Sequence, residues 1–308
     1  MAAQKIIAVV GPTASGKTAL AVRLALAFDG ELVSADSRQV YRGMDIGTGK
    51  ERDPLPGQDG VSMLLGVPQH LIDLLEPDEV CSLADWQKRA FAVIADILAR
   101  GKLPILVGGT GLYVKAVVDA LDLPDAPPDP GLRRRLGRKT TAELLWELRD
   151  FDPQKAKTID RFNKRRLIRA IEITRAVVGK GPRSNVWPHY DVLQIGINLP
   201  REELYRRIDT RVDEQIARGL LDEVCRLVKR YGKKLPALSG IGYRELVELV
   251  GVDNYQPLQM ANATARIKFD THAYARRQMT WFRKDTRIRW VVDQEEAMTL
   301  AETFLEST

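Results

Sequence analysis

The stretch Ile6-Ile7-Ala8-Val9-Val10-Gly11-Pro12-Thr13-Ala14-Ser15-Gly16-Lys17-Thr18 decides the fold. Five apolar, mostly β-branched residues predict a buried strand. Gly11, Gly16, Lys17 and Thr18 then fit the phosphate-loop pattern G-x-x-x-x-G-K-[ST]. Glycines let such a loop curl until several backbone N–H groups point at one anion. The Ala- and Leu-rich run from Thr18 to Phe28 predicts a helix whose positive end faces that same anion. A chance Gly-rich turn is disfavoured, because strand, loop and helix come in the required order. The loop implies a bound polyphosphate without saying which one.

Outward from the loop, strand and helix signals alternate. Glu31 to Asp36 predicts a second core strand ending in a carboxylate, and Asp36 to Lys50 reads as a polar loop. Pro54 to Val67 reads as an exposed excursion and His70 to Leu75 as a third strand. Ser82, with Asp85 three residues on, predicts the start of a helix with apolar residues at Leu83, Trp86, Ala90, Phe91, Ile94 and Ile97, ended by Gly101. Leu103 to Val107 predicts another buried strand, running into Gly108-Gly109-Thr110, and Gly111 to Leu121 a helix. Such alternation predicts an α/β fold: a phosphate-loop NTPase-like, mostly parallel sheet with helices on both faces. Active groups in these sheets gather at the carboxyl ends of the strands, which would bring the phosphate loop, Asp36 and Thr110 to one crevice.

The proline-dense run Pro124 to Pro130 reads as a hinge. Beyond it come helical segments with clusters Arg133-Arg134-Arg135, Arg138-Lys139 and Lys164-Arg165-Arg166 with Arg169, and no strand signal before Val192. The expectation is a catalytic core of residues 1–121 and 191–308, with a small helical insert at 122–190. Strands are expected at Val192–Leu199 and Ile288–Val292, and helices at Leu204–Arg218, Leu220–Tyr231 and Ala261–Lys284. Residues 1–120 carry a formal net charge of −2 against +6 for the whole chain, so the remainder carries +8. Positive charge concentrated away from the phosphate loop suits a nucleic acid backbone. The alternative is a solvated basic face, with Arg165 and Arg166 paired to acids such as Glu172.

No run of the sequence is long and apolar enough to span a bilayer. Cys81 and Cys225 stand far apart without a C-x-x-C, and His70, His189 and His272 are scattered, which argues against a zinc site. A cytoplasmic protein is expected. Asp36 could hold Mg²⁺, act as a general base, or cap a turn.

Gly11-Pro12-Thr13-Ala14-Ser15-Gly16-Lys17-Thr18, then Asp36-Ser37-x-Gln39-x-Tyr41-x-Gly43-x-Asp45-Ile46-Gly47-Thr48, then Gly108-Gly109-Thr110-Gly111-Leu112-Tyr113, closely resemble the tRNA dimethylallyltransferases, and the likeness is to the shorter bacterial type. It continues through Gly242-Tyr243-Arg244-Glu245 and Tyr274-Ala275-Arg276-Arg277-Gln278-Met279-Thr280-Trp281-Phe282-Arg283, and so spans most of the chain. The resemblance implies transfer of a dimethylallyl group from dimethylallyl diphosphate to the exocyclic N6 of an adenosine beside the tRNA anticodon, with diphosphate leaving. It implies that Gly11, Thr13, Ala14, Ser15, Gly16, Lys17 and Thr18 hold the diphosphate rather than ATP, with Thr18 on Mg²⁺. Asp36 would be the base, Thr110 a substrate contact and Arg211 a further diphosphate ligand. For tRNA it implies Asp36, Ser37, Arg38, Gln39, Thr110, Gly242, Tyr243, Arg244, Arg276, Arg277, Gln278, Trp281 and Arg283. Insert arginines Arg133, Arg165, Arg166 and Arg169 would clamp the anticodon stem-loop, and the protein would act as a monomer. Trp281 and Phe282 could instead be core, and at least one is expected to be.

Ser239-Gly240 and His272 depart from the family pattern and loosen the tRNA contacts rather than the catalytic ones. The competing readings are a small-molecule kinase whose insert is a lid, an adenylate prenyltransferase using free AMP, and a non-catalytic RNA-binding module. The long basic second half argues against free AMP, and the intact phosphate loop argues against a module without catalysis.

Overall fold

The computed structural model describes residues 4–53, 61–124, 126–177, 187–251 and 257–307. They form two compact units, one of residues 1–121 with 188–308 and one of residues 122–187. The larger unit opens with β1 (Lys5–Val10), α1 (Lys17–Ala27) and β2 (Gly30–Ser34). A hairpin follows, β3 (Ser62–Leu64) and β4 (Val67–His70), and then α2 (Leu83–Ala99), β5 (Leu103–Gly108) and α3 (Gly111–Val118). The seven-stranded sheet runs β3-β4-β2-β5-β1, completed by two later strands, β6 (Asp191–Ile197) and β7 (Arg289–Val291). Only β3 is antiparallel to its neighbour, so the sheet is mostly parallel, as the alternating pattern required.

Ile7, Val9, Leu32, Ile105, Ile195 and Ile197 bury one face of the sheet against α1 and against a C-terminal helix introduced below. Ile6, Ala8 and Leu106 are buried on the opposite face, where α2 and α3 pack. Strands covered on both faces read as unbroken apolar runs, which is why they were legible. In the register, Val10 lies beside Gly108, and Ser34 beside Val107. The carboxyl ends of β1, β5 and β2 therefore finish level, and the loops after them share one crevice.

Two strand readings are corrected. The third strand is Val67–His70, not His70–Leu75: Leu71 and Asp73 have left-handed backbones (φ 63 and 52), which ends the extended run. Residues 54–60 of the expected excursion lie outside the described residues, but Ser62–Leu64 is a strand. Leu65 and Gly66 (φ 51 and 78) close it onto β4 by the two-residue turn that suits a twisted hairpin. Ser82 does cap α2, its hydroxyl accepting from Asp85 N.

The second unit holds α4 (Pro130–Gly137), α5 (Thr141–Phe151), α6 (Pro153–Thr158) and α7 (Lys164–Val177) around Leu136, Leu144, Leu148, Leu167 and Ile171. Asp129, Thr140 and Asp152 cap the first three helices. Asp125, in the expected hinge, lies outside the described residues. Helices α8 (Arg201–Ala217), α9 (Leu220–Tyr231), α10 (Tyr243–Val247), α11 (Pro257–Phe282) and α12 (Gln294–Glu306) belong to the larger unit. The last of these gives no expectation from the sequence, yet its Ala297 and Ala301 are fully buried against the sheet. Among the described residues, no helix is long and apolar enough to cross a membrane.

Candidate active site

The phosphate loop turns through left-handed Ala14 and Gly16 (φ 62 and 88) into the first turn of α1, which has no side-chain cap. Its free N–H groups are thus available to an anion. Ser15 is buried, and its Oγ has no partner among the described residues. Lys17 donates from Nζ to the Pro12 carbonyl at 3.1 Å. Burial of its ammonium, then the nearby Arg211 charge, lowers its pKa to about 8, against the opposing pull of Asp36 and Glu51. Arg211, on α8, donates to the Gly49 carbonyl at 3.4 Å. Thr13, Lys17, Thr18, Asp36, Glu51 and Arg211 all line a cavity of about 360 Å³.

Asp36 follows β2, and its Oδ1 accepts from Arg38 N at 2.8 Å. The turn-capping role raised from the sequence is therefore present. It commits one carboxylate oxygen and leaves Oδ2 without a hydrogen bond among the described residues. Thr110, after β5, accepts at Oγ1 from Ser37 N at 3.2 Å, so the loops after β2 and β5 are tied together. Tyr274, from α11, also lines the cavity, near the Thr110 side chain. Burial first, and then the Asp36 charge, push its pKa up to about 12, against a lowering by Thr110. Sequence reasoning did not assign Tyr274 a role. Its spacing of four from Gln278, which puts both on one helical face, was the available signal.

The residues expected to touch RNA divide by their partners. Ser37, Arg38, Gln39 and Arg277 line the cavity. Arg38 reaches the Ala237 carbonyl and Ser239 Oγ, both at 3.3 Å, and Gln39 reaches the Thr48 carbonyl at 3.4 Å. Arg277 lies over the Tyr274 ring, 5.8 Å from its centroid. Arg276 donates to the Tyr205 hydroxyl, Trp281 is 41% exposed, and Arg283 is exposed. Phe282 is core, as expected for at least one of the pair.

Three residues are buried, and two of them, Gln278 and Tyr243, also line the cavity. Gln278 is buried. Tyr243 is buried, and its hydroxyl donates to Glu223 Oε1 at 2.6 Å. Beside it, Gly242 N donates to Glu245 Oε2. Buried Glu223 also accepts from the backbone N–H groups of Asp45, Ile46 and Gly47, so it anchors the recognition loop, a role no local pattern announced. Arg244 is paired with Glu245 and Asp270.

In the second unit, two of the four arginines expected to clamp RNA are held by an acid inside the unit. Arg133 and Arg169 converge on Glu172, which is 2% exposed as a side chain, at 2.8 and 2.6 Å. Glu172 also accepts from Asp129 N. Burial pushes its pKa up, but the two guanidinium groups outweigh this and hold it low. Arg165 and Arg166 do not pair with Glu172. Arg165 is exposed without a partner among the described residues, and Arg166 stands 3.8 Å from Asp160.

The sequence matches the family model described as IPP transferase over residues 39–285, and that described as isopentenyl transferase over residues 4–55. A protein of Roseiflexus sp. (strain RS-1) named tRNA dimethylallyltransferase is 49% identical over 292 residues, covering 91% of this chain and 90% of its own. The crystal structure of the full-length tRNA isopentenylpyrophosphate transferase from Bacillus halodurans superposes with a TM-score of 0.68 at 38% identity, covering 98% of this chain and 95% of that one. A eukaryotic dimethylallyltransferase acting on tRNA shares the fold, with a TM-score of 0.76 at 23% identity over 98% of this chain and 79% of its own. This chain belongs to the IPP transferase family.

Proposed function

We propose that the protein transfers the dimethylallyl group of dimethylallyl diphosphate to the exocyclic N6 of an adenosine next to the anticodon of tRNA, releasing diphosphate. The observation that carries this is the shared cavity. An anion cradle (Thr13, Lys17, Thr18, Arg211) and a carboxylate with an unbonded oxygen (Asp36) line one space. A phosphoryl-transfer enzyme needs the cradle to present a phosphorus atom. Here it would serve a leaving group, since stabilising departing diphosphate helps the allylic C–O bond break. As the C–N bond forms, N6 gives up a proton, and Asp36 is the acceptor within the cavity. Thr110 holds the loop that carries Asp36 by accepting from Ser37 N, and Tyr274 lines the same cavity.

We assign Mg²⁺ as the cofactor. The described residues contain no cluster of three His, Cys, Asp or Glu that could hold a metal alone. The Thr18 hydroxyl, with the Asp36 and Glu51 carboxylates in the same cavity, offers oxygen donors only. That set suits a hard cation that keeps waters and shares phosphate oxygens. When bound, Mg²⁺ would neutralise diphosphate charge, with Thr18 holding it.

An acceptor adenine must leave its stack to enter such a cavity, and a base in an anticodon loop is already unpaired. Arg38, Arg277, Arg276 and Arg283, with Trp281 as a stacking surface, are the RNA contacts proposed on the larger unit, and Arg165 and Arg166 on the smaller. The enzyme is proposed to act as a monomer in the cytoplasm. The test is incubation with tRNA and either dimethylallyl diphosphate or ATP. A five-carbon mass gain on the RNA with the first donor, and no ADP with the second, is expected. ADP formed without RNA modification would promote the kinase reading.

A further inference from the structure

Gln278 uses both ends of its amide inside the fold. Oε1 accepts from Thr13 N, in the phosphate loop, at 2.9 Å. Nε2 donates to the Gly109 carbonyl, one residue before Thr110, at 2.9 Å. The side chain is buried where β1 and β5 finish level, Val10 beside Gly108. Gly109 leaves room for this contact: a Cβ there would fall 2.3 Å from Gln278 Nε2. One turn back along α11, Tyr274 lines the same cavity near Thr110, and Arg277 lies over its ring.

One side chain therefore spans the donor loop and the acceptor loop, and it hangs from the helix that carries the basic surface. We propose that Gln278 is a positioning residue for the prenyl transfer, setting the separation between the allylic diphosphate and the acceptor base. The proposal rests on the transfer reading given above. It assigns Gln278 a role exerted through Thr13 and Gly109, although the side chain also lines the cavity.

The physical argument is one of precision rather than affinity. Reaction between two held partners requires near-attack geometry, and a small misplacement is expensive. If Gln278 is shortened, water can satisfy Thr13 N and the Gly109 carbonyl nearly as well as the amide does. Water would keep the fold satisfied without fixing the two loops to each other. A purely structural residue would lower stability, and an RNA contact would lower tRNA affinity. A positioning residue lowers the rate within the fully bound complex.

The experiment uses the full chain with tRNA and dimethylallyl diphosphate, measuring the single-turnover rate at saturation and the Kd of each substrate separately. For Gln278→Ala a fall of about a hundredfold in rate is expected, with each Kd within about threefold of the parent. Gly109→Ala, whose added Cβ displaces the amide, is expected to show the same signature. The double variant should be no slower than Gln278→Ala alone, since both act on one contact. A rate near the parent's, a loss explained wholly by weaker tRNA binding, or multiplicative effects in the double variant would each overturn the proposal. If Gln278→Ala does not fold, Gly109→Ala reads the same joint from the other side. Failure of both to fold would make Gln278 a stability residue only. A parent that prenylates no tRNA overturns the functional reading, and this one with it; an active parent with an unaffected Gln278→Ala overturns only this one.

Discussion

Lys17 offers the sharpest test of the donor site, because burial and Arg211 bring its pKa down to about 8 in the free protein. The proposed role of Lys17 in holding diphosphate needs the protonated ammonium. From that pKa, Lys17 is roughly 90% charged at pH 7 and roughly 10% charged at pH 9. The sign follows: the donor binds well below pH 8, and its affinity falls as the pH rises through that value. A charge-assisted hydrogen bond contributes about 1.5–3 kcal/mol, so full loss of the ammonium should weaken binding about ten- to a hundredfold. The assay is calorimetric titration of dimethylallyl diphosphate into the protein without tRNA, between pH 7 and pH 9. Parent affinity should fall by about five- to ninefold between pH 7 and pH 9, most of it above pH 8. Lys17→Ala should start weaker at pH 7 by the same ten- to hundredfold and stay flat. Affinity that does not change with pH in the parent, or that falls in parallel in Lys17→Ala, would refute the assignment of that charge to the diphosphate.

Asp36→Asn keeps the cap on Arg38 N but removes basicity; turnover should fall about 10²–10⁴-fold with tRNA affinity nearly unchanged, read by single-turnover kinetics beside filter binding. Arg165→Ala with Arg166→Ala should reduce the slope of log tRNA affinity against log salt by about 0.7–0.9 per phosphate no longer neutralised, leaving donor affinity alone; an unchanged slope removes this pair from the RNA site. Arg133→Ala with Arg169→Ala should instead act on stability, since it strands buried Glu172 with only the Asp129 N–H. A loss of about 3 kcal/mol in chemical denaturation is expected, and a variant as stable as the parent would show that Glu172 does not depend on the two arginines.

The candidate site was legible where its signals are local. An apolar run into Gly11-Pro12-Thr13-Ala14-Ser15-Gly16-Lys17-Thr18 specifies strand, cradle and helix within 13 residues, and parallel packing then fixes where Asp36 and Thr110 must lie. What stayed hidden is pairing across distance. Glu172 collects Arg133 from 39 residues away, so a cluster that reads as free positive charge is partly spent inside its own unit. Glu223 reaches back 176 to 178 residues to hold Asp45, Ile46 and Gly47, and Gln278 reaches 265 residues to Thr13. Short elements failed differently. The β3–β4 hairpin has too few residues to show a period, and His70 to Leu75 is apolar enough to mimic a strand that the backbone at Leu71 breaks.

These distant pairings share a consequence for the chemistry. The cradle answers only to negative charge, so on its own it cannot choose between a phosphoryl group to be passed on and a diphosphate to be released. The choice comes from what is held opposite. Ser37 N on Thr110 and Arg38 N on Asp36, with Tyr274 lining the same cavity, build a polar wall around one carboxylate. Gln278 ties that wall to the cradle itself. A base fixed at a set distance from a leaving anion suits a nucleophile that must shed a proton as it attacks carbon. Loosening the tie should therefore cost rate while leaving each half-site able to bind, whereas neutralising Lys17 should cost binding at one half alone. The two perturbations separate the recognition of the anion from the alignment of the reacting atoms, and they do so in different observables.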